Sequence, residues 1–229
     1  MKVSLTDAGK RYNRDWIFRH LHYTFEQGKS YAITGPNGSG KSTLLQVISG
    51  AVDVNEGRIS WSEDGGRESE VGSPGSGVRR ETSDLRPSTP NSRPPTPGLI
   101  SIAAPYLEVI EEMTALEFLT FHQVFKPFVK DISIPAILER VGLEKAADKQ
   151  IRFFSSGMKQ RIKLAQAFYS DVPILLLDEP CTNLDAGGIS LYQQLIAELT
   201  SDRLVVVSSN DEVEFGFCTE RVSILDYKV

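Results

Sequence analysis

Hydrophobic and polar residues alternate with several different periods along this chain, and each period predicts one kind of element. Residues 2–6 and 17–25 alternate enough to suggest antiparallel strands of a small sheet. Residues 30–34 form a short, partly β-branched run, and residues 43–48 continue with the apolar spacing of a helix. The unbroken apolar run at residues 174–177 is typical of a parallel strand that is buried on both faces. Together these elements predict an α/β fold.

Between the first strands and the apolar run, the pattern predicts a helical region. Residues 99–102 predict a strand, 113–128 a helix, and 135–141 a second short helix that ends at Gly142. The longer predicted helix carries the rings of Phe118, Phe121 and Phe125. Core packing is the simplest account of most of these rings. As an alternative, some of them could line a groove that accepts a partner helix.

The composition changes abruptly over residues 62–98. This stretch holds six of the chain's twelve prolines and six of its eighteen glycines, and Val71, Val78 and Leu85 are almost its only aliphatic residues. Such a segment buries too little apolar surface to offset the entropy lost on ordering, so we predict a disordered insertion. The alternative is a Pro-rich docking segment or a phosphorylated regulatory loop.

Length and charge restrict the class of protein. A chain of 229 residues with 40% apolar content can form one large domain, and a net charge of −5 argues against binding nucleic acid through bulk electrostatics. No apolar run approaches the roughly 20 residues of a membrane-spanning helix, and the first residues lack the apolar centre of a signal peptide. We therefore expect a cytosolic protein that meets a membrane only through a partner.

The cysteines and histidines do not predict a metal or disulfide site. Cys181 and Cys218 are far apart in sequence and belong to no C-x-x-C pair, so we interpret both as reduced, structural thiols. His20 and His22 alternate with apolar neighbours in the second strand, which favours a surface position over metal binding.

A glycine-rich segment at residues 35–42 carries the strongest chemical signal. It reads Gly-Pro-Asn-Gly-Ser-Gly-Lys-Ser and fits the pattern G-x-x-x-x-G-K-[ST], between a predicted strand and a predicted helix. Glycines let the backbone curl so that several N–H groups and the positive end of a helix hold a polyphosphate. Lys41 can then reach the β- and γ-phosphates, and the Ser42 hydroxyl is placed to complete an octahedral Mg²⁺ shell. The alternative is a glycine-rich turn with a chance lysine, but the flanking strand and helix favour a phosphate-binding loop. The predicted binding residues here are Gly35, Pro36, Asn37, Gly38, Ser39, Gly40, Lys41, Ser42 and Thr43.

Two acids follow the apolar run, and a capped helix precedes it. Ligands of parallel sheets bind at the carboxyl ends of strands, so Asp178 is predicted to hold Mg²⁺ and Glu179 to polarise the water that attacks the γ-phosphate. Without the phosphate loop upstream, the two acids would equally fit a solvated turn. Ser155, just ahead of the helical run at residues 162–168, is a good N-terminal cap, so its neighbours can present free N–H groups to an anion.

These residues together resemble the ATP-binding cassette (ABC) ATPase family, over nearly the whole chain apart from residues 62–98. The likeness assigns five motifs. Residues 35–42 look like the Walker A loop, 174–179 like the Walker B strand with its catalytic glutamate, 155–158 like a variant of the LSGGQ signature, 182–185 like the D-loop, and Tyr12 stands where the family stacks an aromatic ring on adenine.

The resemblance implies a fold and a mechanism. The fold is a P-loop NTPase core of α/β class with a mixed or parallel sheet, a small antiparallel β subdomain and an inserted helical subdomain at about residues 105–165, all in one ABC ATPase domain over 1–229. Two such domains close head to tail on ATP and Mg²⁺, and each ATP lies between one Walker site and the other domain's signature helix. In each ATP site, the domain that contributes the signature helix would supply Ser155, Gly157 and Asp185. The implied partners are a second ABC subunit, identical or not, and a separate membrane-spanning subunit, which would hold this chain at the inner, cytoplasmic face of the membrane.

Several positions depart from the family's pattern. Ser156 replaces the signature's first glycine and Met158 its glutamine, while residues 103–107 lack the glutamine of the Q-loop. Asn210 stands in the place of the switch histidine; an amide can hydrogen-bond a γ-phosphate but cannot carry a proton or a charge. ATP hydrolysis is therefore expected to be slow, or else Glu179 suffices as the base. ATP binding should survive in either case.

Three functional hypotheses remain from the sequence. The first is the ATPase subunit of an ABC transporter, slow without its partner, and the form of the signature slightly favours export. The second is a soluble ABC ATPase that acts on ribosomes or DNA. The ribosome-associated proteins usually have two cassettes and the DNA-repair proteins a long coiled-coil insertion, whereas this sequence shows one cassette and no heptads. The third is a nucleotide-binding regulatory module that barely hydrolyses ATP.

Overall fold

The computed structural model describes residues 1–62 and 97–228. The strands are β1 (Lys2–Tyr12), β2 (Asp15–Glu26), β3 (Ser30–Thr34), β4 (Glu56–Ser62), β5 (Ile100–Ala103), β6 (Ile174–Asp178), β7 (Leu204–Ser208) and β8 (Glu220–Ser223). The helices are α1 (Lys41–Ile48), α2 (Ala115–Phe125), α3 (Ile134–Arg140), α4 (Ser156–Tyr169), α5 (Ala186–Leu199) and α6 (Glu212–Phe215). The insertion predicted at residues 62–98 falls almost entirely outside the described residues, so its disorder stays a prediction.

A small antiparallel sheet has the strand order β2-β1-β4. Val3 of β1 lies opposite Phe25 of β2 on one side and Trp61 of β4 on the other. The strands predicted at residues 2–6 and 17–25 are therefore confirmed. Both are longer than the alternation indicated, because the pairing of β1 continues through shifts in register that interrupt the period of two.

The second sheet is parallel and has the strand order β5-β6-β7-β3-β8. In register, Leu176 of β6 pairs with Val206 of β7, and Ile33 of β3 pairs with Ser208. The α/β prediction is confirmed, and the sheet is parallel rather than mixed. Because parallel strands end at the same edge, the segments that follow β3, β5, β6 and β7 all emerge on one side of the molecule.

The unbroken apolar run of β6 is explained by two cores on opposite faces of the parallel sheet. Ile174 and Leu176 face a core shared with α1 and the antiparallel sheet, whereas Leu175 and Leu177 face a core shared with α2 to α5. A strand buried on both faces has no position for a polar side chain until it ends, at Asp178.

Capping side chains set the starts of helices α2, α3 and α4, and a proline sets the end of α2. Thr114 and Glu117 form a reciprocal capping box at the start of α2, and the Ser133 and Ser155 side chains cap α3 and α4. Helix α2 ends three residues before the predicted boundary. Lys126 is extended there because the residue before Pro127 avoids the helical conformation.

The prediction that core packing covers most phenylalanine rings of α2 is wrong for two of the three. Phe118 is buried, but Phe121 is 44% exposed and Phe125 is 66% exposed. These two rings contact each other edge to face, with centroids 5.1 Å apart. Helical spacing marks a shared face of a helix, but it does not show how far along the helix the neighbouring elements extend.

The cysteines and histidines lie as expected. Cys181 and Cys218 are free thiols, and burial raises the pKa of each to about 12. His20 and His22 are largely exposed, and Nδ1 of His20 lies 2.7 Å from Oδ1 of Asp7. Of the helices in residues 1–62 and 97–228, none is long and apolar enough to cross a membrane.

Two glycines with positive φ make a matched stability test. A Cβ added at Gly57 (φ 69°) would lie 2.1 Å from the Asp7 carbonyl oxygen, whereas one at Gly28 (φ 79°) would meet nothing within 4 Å. We expect Gly28→Ala to cost about 1 kcal/mol from backbone strain alone. Gly57→Ala should cost about 2 kcal/mol more, because the β1 backbone must also move.

Denaturant unfolding of both variants measures the difference. An equal loss of unfolding free energy in Gly28→Ala and Gly57→Ala would contradict the close packing of β4 on β1.

Candidate functional site

The predicted phosphate loop joins β3 to α1 and depends on glycine at three positions. Gly35, Gly38 and Gly40 have φ of 147°, 76° and 105°, in the region that side chains disfavour. A Cβ on Gly35 would lie 2.6 Å from Cγ2 of Ile224, and one on Gly40 would lie 2.2 Å from Cγ2 of Ile17. Gly35 and Gly40 are therefore needed both for conformation and for space, whereas Gly38 is needed for its conformation.

The first turn of α1 is open to an anion. Gly40 occupies the N-cap position without a side-chain cap, and the first turn contains no acidic residue. Consequently the first backbone N–H groups of the helix are left for an external acceptor, at the positive end of the helix. This arrangement fits a bound phosphate.

Lys41 lies across the same loop. Its side chain is buried, and its Nζ donates to the carbonyl oxygens of Gly35, at 2.7 Å, and Pro36, at 3.3 Å. The ammonium is thus held over the curled backbone, where an anion in the loop would meet it directly.

The end of β6 supplies the buried carboxylate of Asp178. Asp178 is 2% exposed, and its Oδ1 makes no hydrogen bond to the described part of the chain. The Oγ of Ser208, its register partner on β7, is likewise buried without a hydrogen bond. Buried polar atoms are normally satisfied, so the Asp178 carboxylate fits a hard cation such as Mg²⁺. Ser42, the second residue of α1, stays the predicted second ligand.

Glu179 follows in a strained backbone conformation. Its φ is 43°, which is unfavourable for a residue with a Cβ. The Glu179 N–H donates to the Ser208 carbonyl at 2.9 Å, and the Glu179 carbonyl accepts from the Thr182 N–H at 3.1 Å. The chain therefore turns sharply as it leaves the sheet, and the carboxylate stays half-buried at the edge that carries the phosphate loop.

Asn210 brings the segment after β7 to the loop. Its Oδ1 accepts the Gly35 N–H at 3.3 Å, and its Nδ2 donates to Oδ1 of Asn37 at 3.0 Å. The amide that stands in the predicted histidine position is therefore in contact with the loop itself.

Three further predicted residues lie at a second location. A cavity of about 410 Å³ is lined by the start of α4 and the segment before α5. Its lining includes Ser155, Gly157 and Asp185. Oδ1 of Asp185 caps α5 by accepting the Gly188 N–H at 2.8 Å, and it pairs with Arg161 at 3.0 Å. Both interactions, the first more strongly, lower the pKa of Asp185.

Tyr12 ends β1 on the surface. Its ring is 46% exposed, and the Lys10 ammonium lies 5.2 Å from the ring centroid. Ile17 of β2 lies next to the phosphate loop, since a Cβ on Gly40 would be 2.2 Å from its Cγ2.

One residue at this edge was not predicted. Tyr106 follows β5, in the segment where the sequence lacks the expected glutamine. Burial raises the pKa of Tyr106, a hydrogen bond with the Gln46 side chain lowers it, and the charge of Asp178 raises it. The phenol is thus close to α1 and to the unpaired carboxylate. A polar aromatic residue just past the carboxyl end of a predicted parallel strand was the available signal.

Comparison with known proteins gives one consistent result. A family model described as ABC transporter matches residues 18–182. The ABC transporter ATP-binding protein YybJ of Bacillus subtilis is 29% identical over 91% of this chain and 85% of its own length. The lantibiotic transport ATP-binding protein SrtF of Streptococcus pyogenes is 27% identical over 98% of this chain and 90% of its own length.

The fold is similar to that of solved cassettes. A dimeric structure of the ATP-binding cassette MJ0796 in a post-hydrolysis state, bound to ADP and Pi, superposes with a TM-score of 0.75 at 23% identity. The match covers 99% of this chain and 96% of that one.

Lys41→Ala tests the loop. The variant should bind ATP about 10- to 100-fold more weakly, because it loses a charge-assisted contact with phosphate. Lys29→Ala is the control, since Lys29 makes an exposed ion pair with Glu26. Calorimetric titration with ATP measures both, and an unchanged affinity in folded Lys41→Ala would show that the phosphate loop is misassigned.

Proposed function

Because the chain belongs to the ABC transporter family, we propose that it is the subunit of a transporter that binds ATP and hydrolyses it to ADP and phosphate. The observation that supports this most strongly is the meeting of three groups at one edge of the parallel sheet. Those groups are the glycine loop with Lys41, the unpaired carboxylate of Asp178, and Glu179.

Each group has a role that follows from its surroundings. The loop from Gly35 to Thr43 binds the phosphates through backbone N–H groups, and Lys41 neutralises their charge. Ser42 and Asp178 would hold Mg²⁺, which would offset the negative charge that develops on the phosphate oxygens. Tyr12 offers an exposed ring on which adenine can stack.

Glu179 acts on the attacking water. Glu179 is half-buried at the edge of the sheet from which the loop also emerges, on a strained turn that fixes the backbone from which its side chain starts. It accepts a proton from the water as general base, or orients the water by a hydrogen bond. Asn210, already in contact with Gly35, donates its amide to the γ-phosphate and takes no part in proton transfer.

The complete site needs a second subunit. Ser155, Gly157 and Asp185 line a cavity separate from the residues of the phosphate loop. They therefore serve the ATP of a partner cassette, identical or not, in a head-to-tail dimer. The dimeric arrangement of the related MJ0796 cassette supports this reading.

A separate membrane-spanning subunit is the second partner. Exposed Phe121 and Phe125 give α2 an apolar surface of the kind that protein contacts cover. The names of the relatives support a transport role, and the chain then lies at the cytoplasmic face of the membrane, held by this partner, with no nucleic acid involved. Turnover is slow until the partner is present.

Copurification separates the partner hypotheses. Extraction of the tagged chain from its native cells in mild detergent should recover an integral membrane protein in fixed proportion. Recovery of ribosomes or DNA instead would contradict the transporter assignment and favour a soluble ABC ATPase.

The third hypothesis, a regulatory module, rests on Asn210 and on the missing glutamine after β5. It predicts ATP binding without turnover even when the membrane partner is present, whereas the proposal above predicts turnover that rises with the partner.

Glu179→Gln tests the chemistry. Turnover should fall by about 100-fold or more, because the amide cannot accept the proton. ATP affinity should stay within about threefold, since phosphate binding is left intact. Phosphate release and ATP titration measure the two quantities, and Glu212→Gln, an exposed acid of α6 paired with Arg221, is the control. Full turnover in Glu179→Gln would remove Glu179 from the role of base.

A further inference from the structure

The peptide group between Pro180 and Cys181 is hydrogen-bonded from two sides by buried side chains. Its carbonyl oxygen accepts from Nε2 of Gln160 at 2.7 Å, and its N–H donates to Oε1 of Glu214 at 2.7 Å. Gln160 is 3% exposed and Glu214 is 5% exposed. One peptide plane is thus fixed at both ends, immediately after the strained Glu179.

The two side chains come from different parts of the molecule. Gln160 lies on α4, one turn after Gly157 of the signature motif. Glu214 lies on α6, which begins just after the switch residue Asn210. The Pro180–Cys181 peptide therefore connects α4, which starts with the signature motif, to α6, which follows Asn210. Pro180 comes directly after Glu179, the proposed base.

Further contacts show that this region is tightly packed. A Cβ on Gly157 would lie 3.0 Å from the Asn183 carbonyl oxygen, and Arg161 pairs with Asp185. Helix α4 therefore meets the segment from 180 to 185 at three successive points.

Glu214 is linked to the catalytic edge electrostatically as well. Burial raises the pKa of Glu214, hydrogen bonds from Ser209 and from the Cys181 N–H lower it, and the charges of Asp211 and Glu179 raise it. A buried carboxylate with these neighbours is held in place by its two hydrogen bonds.

We propose that Gln160 and Glu214 are positioning residues for ATP hydrolysis, which hold the Pro180–Cys181 peptide and thereby fix the direction of the Glu179 carboxylate. The proposal rests on the hydrolysis function proposed above. A side chain on a strained turn follows its backbone, and a displacement of about 1 Å in a catalytic group can cost about 100-fold in rate. In the described part of the chain, the side-chain hydrogen bonds of Gln160 and Glu214 go to residues outside the phosphate loop, so we expect ATP binding not to depend on them.

The test compares variants that remove the clamp with variants that keep it. Gln160→Met and Glu214→Met keep side-chain length but lose the polar atom, and each should lower kcat about 10-fold or more with the ATP dissociation constant changed less than about threefold. Glu214→Gln retains an acceptor oxygen and should keep most of the wild-type kcat. Glu214→Asp conserves the charge, but its shorter side chain moves the acceptor oxygen away from the Cys181 N–H, so kcat should fall. This variant replaces Glu214→Met in the test if Glu214→Met does not fold.

Tyr192→Phe is the matched control for lost stability. It removes a buried hydrogen bond, 2.6 Å long, from the Tyr192 hydroxyl to the Glu214 carbonyl oxygen, and leaves the clamped peptide untouched. It should lower the melting temperature while kcat stays near wild type.

The outcomes separate the two proposals. If wild-type protein turns over ATP above the Glu179→Gln blank, but Gln160→Met, Glu214→Met and Glu214→Asp all keep wild-type kcat, the positioning proposal is wrong and the hydrolysis function stands. The positioning proposal is also wrong if kcat falls in proportion to the melting temperature across all the variants, including Tyr192→Phe. If wild-type protein shows no turnover above the blank even with its partner, the hydrolysis function fails, and the positioning proposal fails with it.

Discussion

The geometry of this protein depends on the parallel pairing of β3, β6 and β7. Their register brings Ile33, Asp178 and Ser208 to the same edge, so three segments distant in sequence leave the sheet side by side. The pairing is possible because two apolar cores bury both faces of the sheet. Chemistry is then confined to the edge where polar side chains first become possible.

At that edge, each polar group is prepared for a ligand. The glycine loop leaves N–H groups open, Lys41 is held over the loop, and the buried Asp178 keeps one oxygen unpaired. An unpaired buried oxygen costs free energy in the absence of a ligand. A bound cation would satisfy it, so part of the proposed binding energy for metal and nucleotide would come from groups that the fold leaves incomplete.

The sequence predicted the parts of the site that are contiguous. Residues 35–42 could be recognised because loop, strand and helix follow one another, and β6 because a doubly buried strand has a distinctive composition. The clamp by Gln160 and Glu214 could not be predicted, since its hydrogen bonds join residues 20 and 33 positions apart. The exposed rings Phe121 and Phe125 were misjudged because helical spacing does not show where the packing surface ends.

We infer that one edge of the sheet assembles phosphate, metal and base, and a crystal structure of Glu179→Gln with ATP and Mg²⁺ would test this. Phosphate oxygens should lie on the backbone N–H groups of the glycine loop and on Lys41, with Mg²⁺ held on the side of Ser42 and Asp178. A nucleotide bound elsewhere, or a metal without contact to either residue or their bound waters, would contradict it.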